Sequence, residues 1–248
     1  MVLKRKRKRE YYKEFKIVRG AFDERTLLVL YRLLNKNKMS AESLIKEGKE
    51  SIILSGLTNK KKWVAIKVYC TKACNFKNMS KYLVGDPRFQ RIKKKRRFIV
   101  NLWCQREFKN LKIARNAGVD CPEPLFFEEN VLIMSFIGNN GLAAPRLIDV
   151  KPDKPEEIYK KVLSNLKKLV ENGLIHGDLS AYNILLHKKP YFIDFSHGIT
   201  LKNPLAPELL KRDIKNINYY FSKFDITVKD SEKLYKKLER VIRKKVIK

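Results

Sequence analysis

Acidic side chains are scarce in this chain. Its 248 residues carry 26 Asp and Glu against 56 Lys and Arg, a formal net charge of +30. Such a field favours polyanionic partners, of which nucleic acid is the usual one. Charge alone does not separate RNA from DNA, and a basic composition also serves solubility. Cysteine is sparse too: Cys70, Cys74, Cys104 and Cys121 form no CxxC pair, which argues against zinc and for small buried thiols. No apolar run approaches the roughly 18 residues of a membrane span, so no membrane association is expected. The start, "MVLKRKRKRE", has no apolar stretch behind its charges and does not read as a secretory signal, so the expected location is cytoplasmic. There is no internal repeat and no Gly/Ser linker. A glycine-rich G-x-G-x-x-G loop is also missing.

The basic residues that are present cluster. Lys4 to Arg9 and Lys93 to Arg97 are unbroken runs, and the tail from Lys233 to Lys248 is also rich in them. Blocks of this kind are often mobile arms. Between them the periodicity changes along the chain. Apolar residues at helical spacing predict a helix over Glu24–Asn37, through Leu27, Leu30, Tyr31 and Leu34. Ser51–Gly56, Trp63–Cys70 and Val131–Phe136 read as strands, with "LTNKKK" as the turn after the first. A helix is expected around Ile99–Asn116. Another begins at Pro155, buries Ile158, Val162, Leu166 and Leu169, and stops at Gly173. "NILL" and "YFID" read as short strands around the turn "HKKP", and Pro204–Phe224 and Lys229–Ile247 as helices. A strand-rich half therefore precedes a helix-rich half. The fold class expected is α+β with two lobes: a basic segment over 1–20, a nucleotide-binding lobe over 21–137 and a catalytic lobe over 138–248.

The chemistry concentrates in "LIHGDLSAYNILL", Leu174–Leu186. His176 and Asp178 follow a helix stop and so belong to a loop, while Asn183 opens the next strand. "YFIDFSHG" then places Asp194 at a strand end, where a carboxylate must be solvated, paired or metal-bound. Asn183 and Asp194, one hairpin apart, offer hard oxygen ligands suited to Mg²⁺ or Mn²⁺, with phosphates filling the other positions. Asp178 is then a proton acceptor or nucleophile-positioning group. His176 reads as a structural hydrogen-bonding residue rather than a catalyst. D-x-x-x-x-N followed by a strand ending in I-D-F is the phosphoryl-transfer set of protein kinases. That set requires a strand lysine for the phosphates, which "VAIKV" supplies as Lys67, and a helix glutamate, for which Glu107 is the candidate. Without a glycine loop, Gly48, Lys49 and Ser51 remain to meet phosphates. The third residue of the metal loop, usually glycine, is Ser196, and no long substrate platform follows.

A compact kinase of this kind resembles the RIO atypical kinases, in particular the RIO one subfamily, over roughly residues 42–224. The resemblance rests on "EGKES", "YLVGDPRF", "LWCQREFKNLKIARNAGVDCPEP", "LIMSFIG", the two loops above and "NPLAPELLKRDIKN". It implies a Mg-ATP-dependent serine/threonine kinase and ATPase. Lys67 would bind the α/β-phosphates and Glu107 would orient it. Ser135 and Ile137 would hold adenine through backbone groups with Met134 behind. Asp178 would accept the proton, and Asn183 and Asp194 would ligate the metal. Asp194 is also implied as a phosphoaspartate nucleophile. The family's tie to small-subunit ribosome maturation implies pre-ribosomal particles and rRNA as partners, while the protein substrate stays open. Two other readings compete: the small ATPase of the complex that makes threonyl-carbamoyl-adenosine in tRNA, and an RNA-binding scaffold with a switch-like nucleotide pocket.

Overall fold

A computed structural model of the chain describes residues 22–71, 79, 88 and 95–246. The basic segment 1–20, Cys74 and all of "YLVGDPRF" except Arg88 lie outside the described residues. The chain divides into two compact units. One comprises Met1–Ser80, Ile92–Gln105 and Pro124–Ala143; the other comprises Lys81–Arg91, Arg106–Glu123 and Ala144–Lys248.

The first unit is a helix laid on a five-stranded antiparallel sheet. Asp23 starts the helix α1 (Glu24–Lys36) by accepting the Thr26 N–H at 2.9 Å, satisfying one orphan donor of the first turn. The strands are β1 (Met39–Glu47), β2 (Ser51–Thr58), β3 (Trp63–Tyr69), β4 (Pro124–Glu128) and β5 (Val131–Ser135), in spatial order β1-β2-β3-β5-β4. Alternation decides which face each side chain takes. Ile52, Leu54, Val64, Ile66, Val68, Val131 and Ile133 pack with Leu27, Leu30, Leu33 and Leu34 of α1 into one core. The residues between them, among them Ala65, Lys67 and Met134, therefore point to the opposite face.

The second unit is mostly helical. The helix α2 (Arg96–Asn116) carries residues of both units. A hairpin of the first unit, β6 (Gly138–Asn139) with β7 (Leu142–Ala143), precedes α3 (Pro155–Glu171), which has proline in its first turn. The four expected residues of α3 are all buried, and Gly173 follows at φ 85. Next come β8 (Leu174–Ile175), the hairpin β9 (Ile184–His187) with β10 (Lys189–Phe192), and β11 (Ile199–Thr200), which pairs with β8. The helices α4 (Ala206–Phe221) and α5 (Ser231–Val246) pack on each other.

Several elements differ from the sequence expectations. β1 has no counterpart among them: it is a polar edge strand, interrupted by irregularities at Ala41/Ser43 and Leu44/Lys46, so it lacks the alternation that marks strands. β2 continues through Leu57 and Thr58, into the stretch "LTNKKK" that reads as a turn. Asn183 does not open a strand: it closes a 3-10 turn, Ala181–Asn183. Asp194 is not at a strand end: β10 stops at Phe192, and Asp194 takes a left-handed conformation at φ 62, ψ 66. Of the cysteines, Cys104 and Cys121 are buried, and burial pushes the Cys121 thiol up to about 12, whereas Cys70 is half-buried. Among the described residues no helix is long and apolar enough to cross a membrane.

Candidate active site

In the first unit the expected nucleotide residues fall on neighbouring strands. Lys67 lies on β3, 4% exposed, paired across the sheet with Ile53 and Leu132. Its ammonium sits 5.0 Å from the Tyr69 ring centre, on the same face by strand alternation. Met134 pairs with Ala65 and Ser135 with Val64, so β5 sets both beside the lysine's strand; Ile137 follows two residues on. Gly48 and Lys49 form the β1–β2 turn, which the Gly48 N–H closes onto the Ser51 carbonyl at 3.0 Å. A cavity of about 510 Å³ touches Gly48 and Lys49 but is otherwise lined by Phe22, Thr26, Ile52 and Cys70, among others. Its lining is mixed: Ile52 and Thr26 belong to the α1 side of the sheet, opposite Lys67, while Tyr69 shares the strand and face of Lys67. Glu107, 1% exposed, is a residue of α2 in the second unit.

The second unit gathers the remaining residues. The Asn183 amide donates to the Asp178 carbonyl at 2.7 Å and to its Oδ2 at 2.9 Å. The Ile193 N–H donates to the Asn183 carbonyl at 3.0 Å, which fixes the chain just before Asp194 against Asn183. Ser196 Oγ donates to Asp194 Oδ1 at 2.7 Å. Burial raises the Asp178 carboxyl; Asp194 adds to that rise, while His197, Asn183 and Arg212 oppose it. His176 is fully buried, with Nε2 3.0 Å from the Ile193 carbonyl and its ring against Phe195 at 4.7 Å. It ties the Asp178 loop to the Asp194 loop.

The donors of Asn183 are spent on Asp178, which leaves its amide oxygen to accept. That oxygen and the Asp194 carboxylate are both hard oxygen donors. Among the described residues no three His, Cys, Asp or Glu side chains converge as a metal site. A two-oxygen site fits Mg²⁺, which keeps waters and substrate phosphates as its other ligands.

Residues unassigned in the sequence hold this arrangement. Asp213 on α4 is fully buried and accepts the Gly177 N–H at 2.9 Å and the Leu179 N–H at 2.8 Å, the two amides flanking Asp178. Arg212 donates to the Gly177 carbonyl and Asn216 to that of Leu179. Gly177 itself has φ +75, and a Cβ there would lie 2.7 Å from the His197 carbonyl. Arg106 and Asn110, both fully buried on α2, donate to the Gly198 carbonyl, and Asn110 also to that of Phe195. The available signal was position: Asp213 continues the buried stripe of α4 between Leu209 and Ile217, where a carboxylate needs a partner.

Burial pushes the Asp213 carboxyl from 3.8 up to about 7, against its two amide donors and Arg212. The folded state therefore binds this proton where the unfolded state does not. Between about pH 7 and pH 4 acidification favours the folded form through this group. The same proton occupies an oxygen that an amide needs. Turnover is expected to fall on the acid side of pH 7 while the melting temperature holds or rises; parallel kcat and melting series check this. A flat kcat from pH 8 to about pH 5.5 would refute it.

Solved structures with the same arrangement of sheet and helices exist. A Rio2 kinase from Chaetomium thermophilum in an ADP/Mg²⁺-phosphoaspartate complex matches with a TM-score of 0.66 at 22% identity, covering 87% of this chain and 65% of that one. The fold is thus that of this Rio2 kinase. Sequence relatives narrow it. The RIO domain family model matches residues 52–234. A RIO-type serine/threonine-protein kinase Rio1 of Methanocaldococcus jannaschii is 40% identical over 235 residues, spanning 93% of this chain and 79% of the relative. The Rio1 of Haloferax volcanii is 35% identical over 84% of this chain and 72% of its own length. Human RIO1 is 32% identical over 88% of this chain but only 40% of its own length. The chain belongs to the RIO family of atypical serine/threonine kinases.

Proposed function

We propose that this chain is a Mg-ATP-dependent serine/threonine kinase and ATPase that acts in maturation of the small ribosomal subunit. The observation that carries the phosphoryl chemistry is the convergence of Asp178, Asn183 and Asp194 through the Asn183 amide and the Ile193 N–H. In this reading Asn183 and Asp194 hold the magnesium, which neutralises phosphate charge when bound. Asp178, its affinity for protons raised by burial, takes the proton of the water or hydroxyl that attacks the acyl phosphate. Asp194 is the nucleophile that accepts the phosphoryl group. Lys67 and Glu107 serve the α/β-phosphate end of the nucleotide. Gly48, Lys49 and Ser51 serve its phosphate chain, and Met134, Ser135 and Ile137 its base. The Rio1 relatives, which are serine/threonine-protein kinases, support kinase activity. The Chaetomium Rio2 kinase, solved as an ADP/Mg²⁺-phosphoaspartate complex, supports the nucleotide, the metal and the acyl phosphate. The net charge of +30 supports a polyanionic partner, as rRNA is.

The test is incubation of the protein with γ-labelled ATP and Mg²⁺, with and without small-subunit particles, and separation of free phosphate, phosphoserine or phosphothreonine, and acyl phosphate. Labelled acyl phosphate and Mg²⁺-dependent phosphate release that respond to the particles are expected. Absence of any labelled product under both conditions sinks the reading.

A further inference from the structure

We propose that Ser196 is a positioning residue that speeds the departure of the phosphoryl group from Asp194. The inference rests on the reading of Asp194 as nucleophile. Ser196 is 2% exposed and its hydroxyl donates to Asp194 Oδ1 at 2.7 Å. The bond is made by a braced turn rather than a mobile side chain. Asp194 holds its left-handed conformation directly before the 3-10 turn Phe195–His197, which the Gly198 N–H closes onto the Phe195 carbonyl at 3.0 Å. Arg106 and Asn110 grip the Gly198 carbonyl, and Asn110 also grips that of Phe195. The hydroxyl is thus aimed at one oxygen by a buried frame anchored on α2.

The consequence follows from the electron count. Oδ2 attacks the γ-phosphorus while Oδ1 keeps its bond from Ser196; the bond to the bridging oxygen of ADP breaks and ADP leaves with the electron pair. Oδ1 is now the carbonyl oxygen of a mixed anhydride, still facing the Ser196 hydroxyl. In hydrolysis, water attacks phosphorus, the phosphorus–Oδ2 bond breaks, and its electron pair returns to the carboxylate. Asp178 takes the proton of the water. Negative charge builds on Oδ1 as the carboxylate leaves, so the Ser196 bond is stronger in the transition state than in the acyl phosphate. A glycine at this position, the residue of ordinary kinase metal loops, has no such donor.

The experiment compares wild type, Ser196→Ala and Ser196→Thr. Each protein is charged with γ-labelled ATP and Mg²⁺, then freed of nucleotide and metal by chelation and desalting, and the loss of acyl phosphate is followed natively and in urea. Loss of a hydrogen bond to a developing charge should lengthen the native lifetime in Ser196→Ala about tenfold. Ser196→Thr, which keeps the hydroxyl, should restore the wild-type lifetime, and in urea all three should decay alike. The KM for ATP and the melting temperature should stay near wild type in Ser196→Ala, a pattern that simple loosening of the turn would not produce. An unchanged or shortened native lifetime in Ser196→Ala overturns the role of Ser196 and leaves Asp194 as nucleophile standing. No acyl phosphate in the wild type overturns both.

Discussion

Asp194→Asn is expected to abolish Mg²⁺-dependent ATP turnover, by on the order of 10³-fold or more. The choice of asparagine isolates the chemistry. Asp194 sits at φ 62, ψ 66, a conformation asparagine tolerates better than most residues, and an amide oxygen still accepts the Ser196 hydroxyl. The turn is therefore retained while the carboxylate, the proposed metal ligand and nucleophile, is lost. Nucleotide binding, proposed above for residues of the first unit, should survive within a few-fold. Labelled-phosphate release and equilibrium binding of an ATP analogue, measured on the same preparation, separate the two. Wild-type ATP consumption in this variant excludes Asp194 from both roles.

Asp178→Asn carries the second large effect, a loss of about 10² to 10⁴ in kcat with the KM for ATP little changed. The Asn183 amide bonds both the backbone carbonyl and Oδ2 of Asp178, and the carbonyl bond survives the substitution. The flanking amides of Gly177 and Leu179 are held by Asp213, not by Asp178, so the loop keeps its course. What is removed is a carboxylate whose proton affinity burial and Asp194 raise. Steady-state kinetics at saturating Mg²⁺ check it; a kcat within about threefold of wild type would assign the proton transfer elsewhere. Both variants are read at pH 8, above the Asp213 transition, so that loop loosening does not imitate the loss.

Much of this site was legible in the chain because its chemistry is local. Asp178 and Asn183 are five residues apart in one loop, and Asp194 follows after a single hairpin. Short-range spacing therefore carried their convergence, and alternation along β3 put Lys67 and Ala65 on one face. The helices α1 and α3 were legible for the same reason: their apolar stripes repeat every three to four residues and each has a start or stop signal. β1 was not, because a polar edge strand buries little and alternates poorly. Nor was the 3-10 turn at Asn183 or the left-handed backbone at Asp194, since these conformations are imposed by contacts rather than by the residues themselves.

By itself, then, the sequence determined the kinase class, most of the elements and the closeness of Asp178 to Asn183, because each depends on neighbours within a turn, a strand or a hairpin. Only the tertiary structure decided what holds these loops in place. Asp213 reaches back from α4 to two amides, and Arg106 and Asn110 reach from α2 to carbonyls some 90 residues later in the chain. Such bonds follow from burial, where a polar group must find a partner at whatever sequence distance the packing provides one.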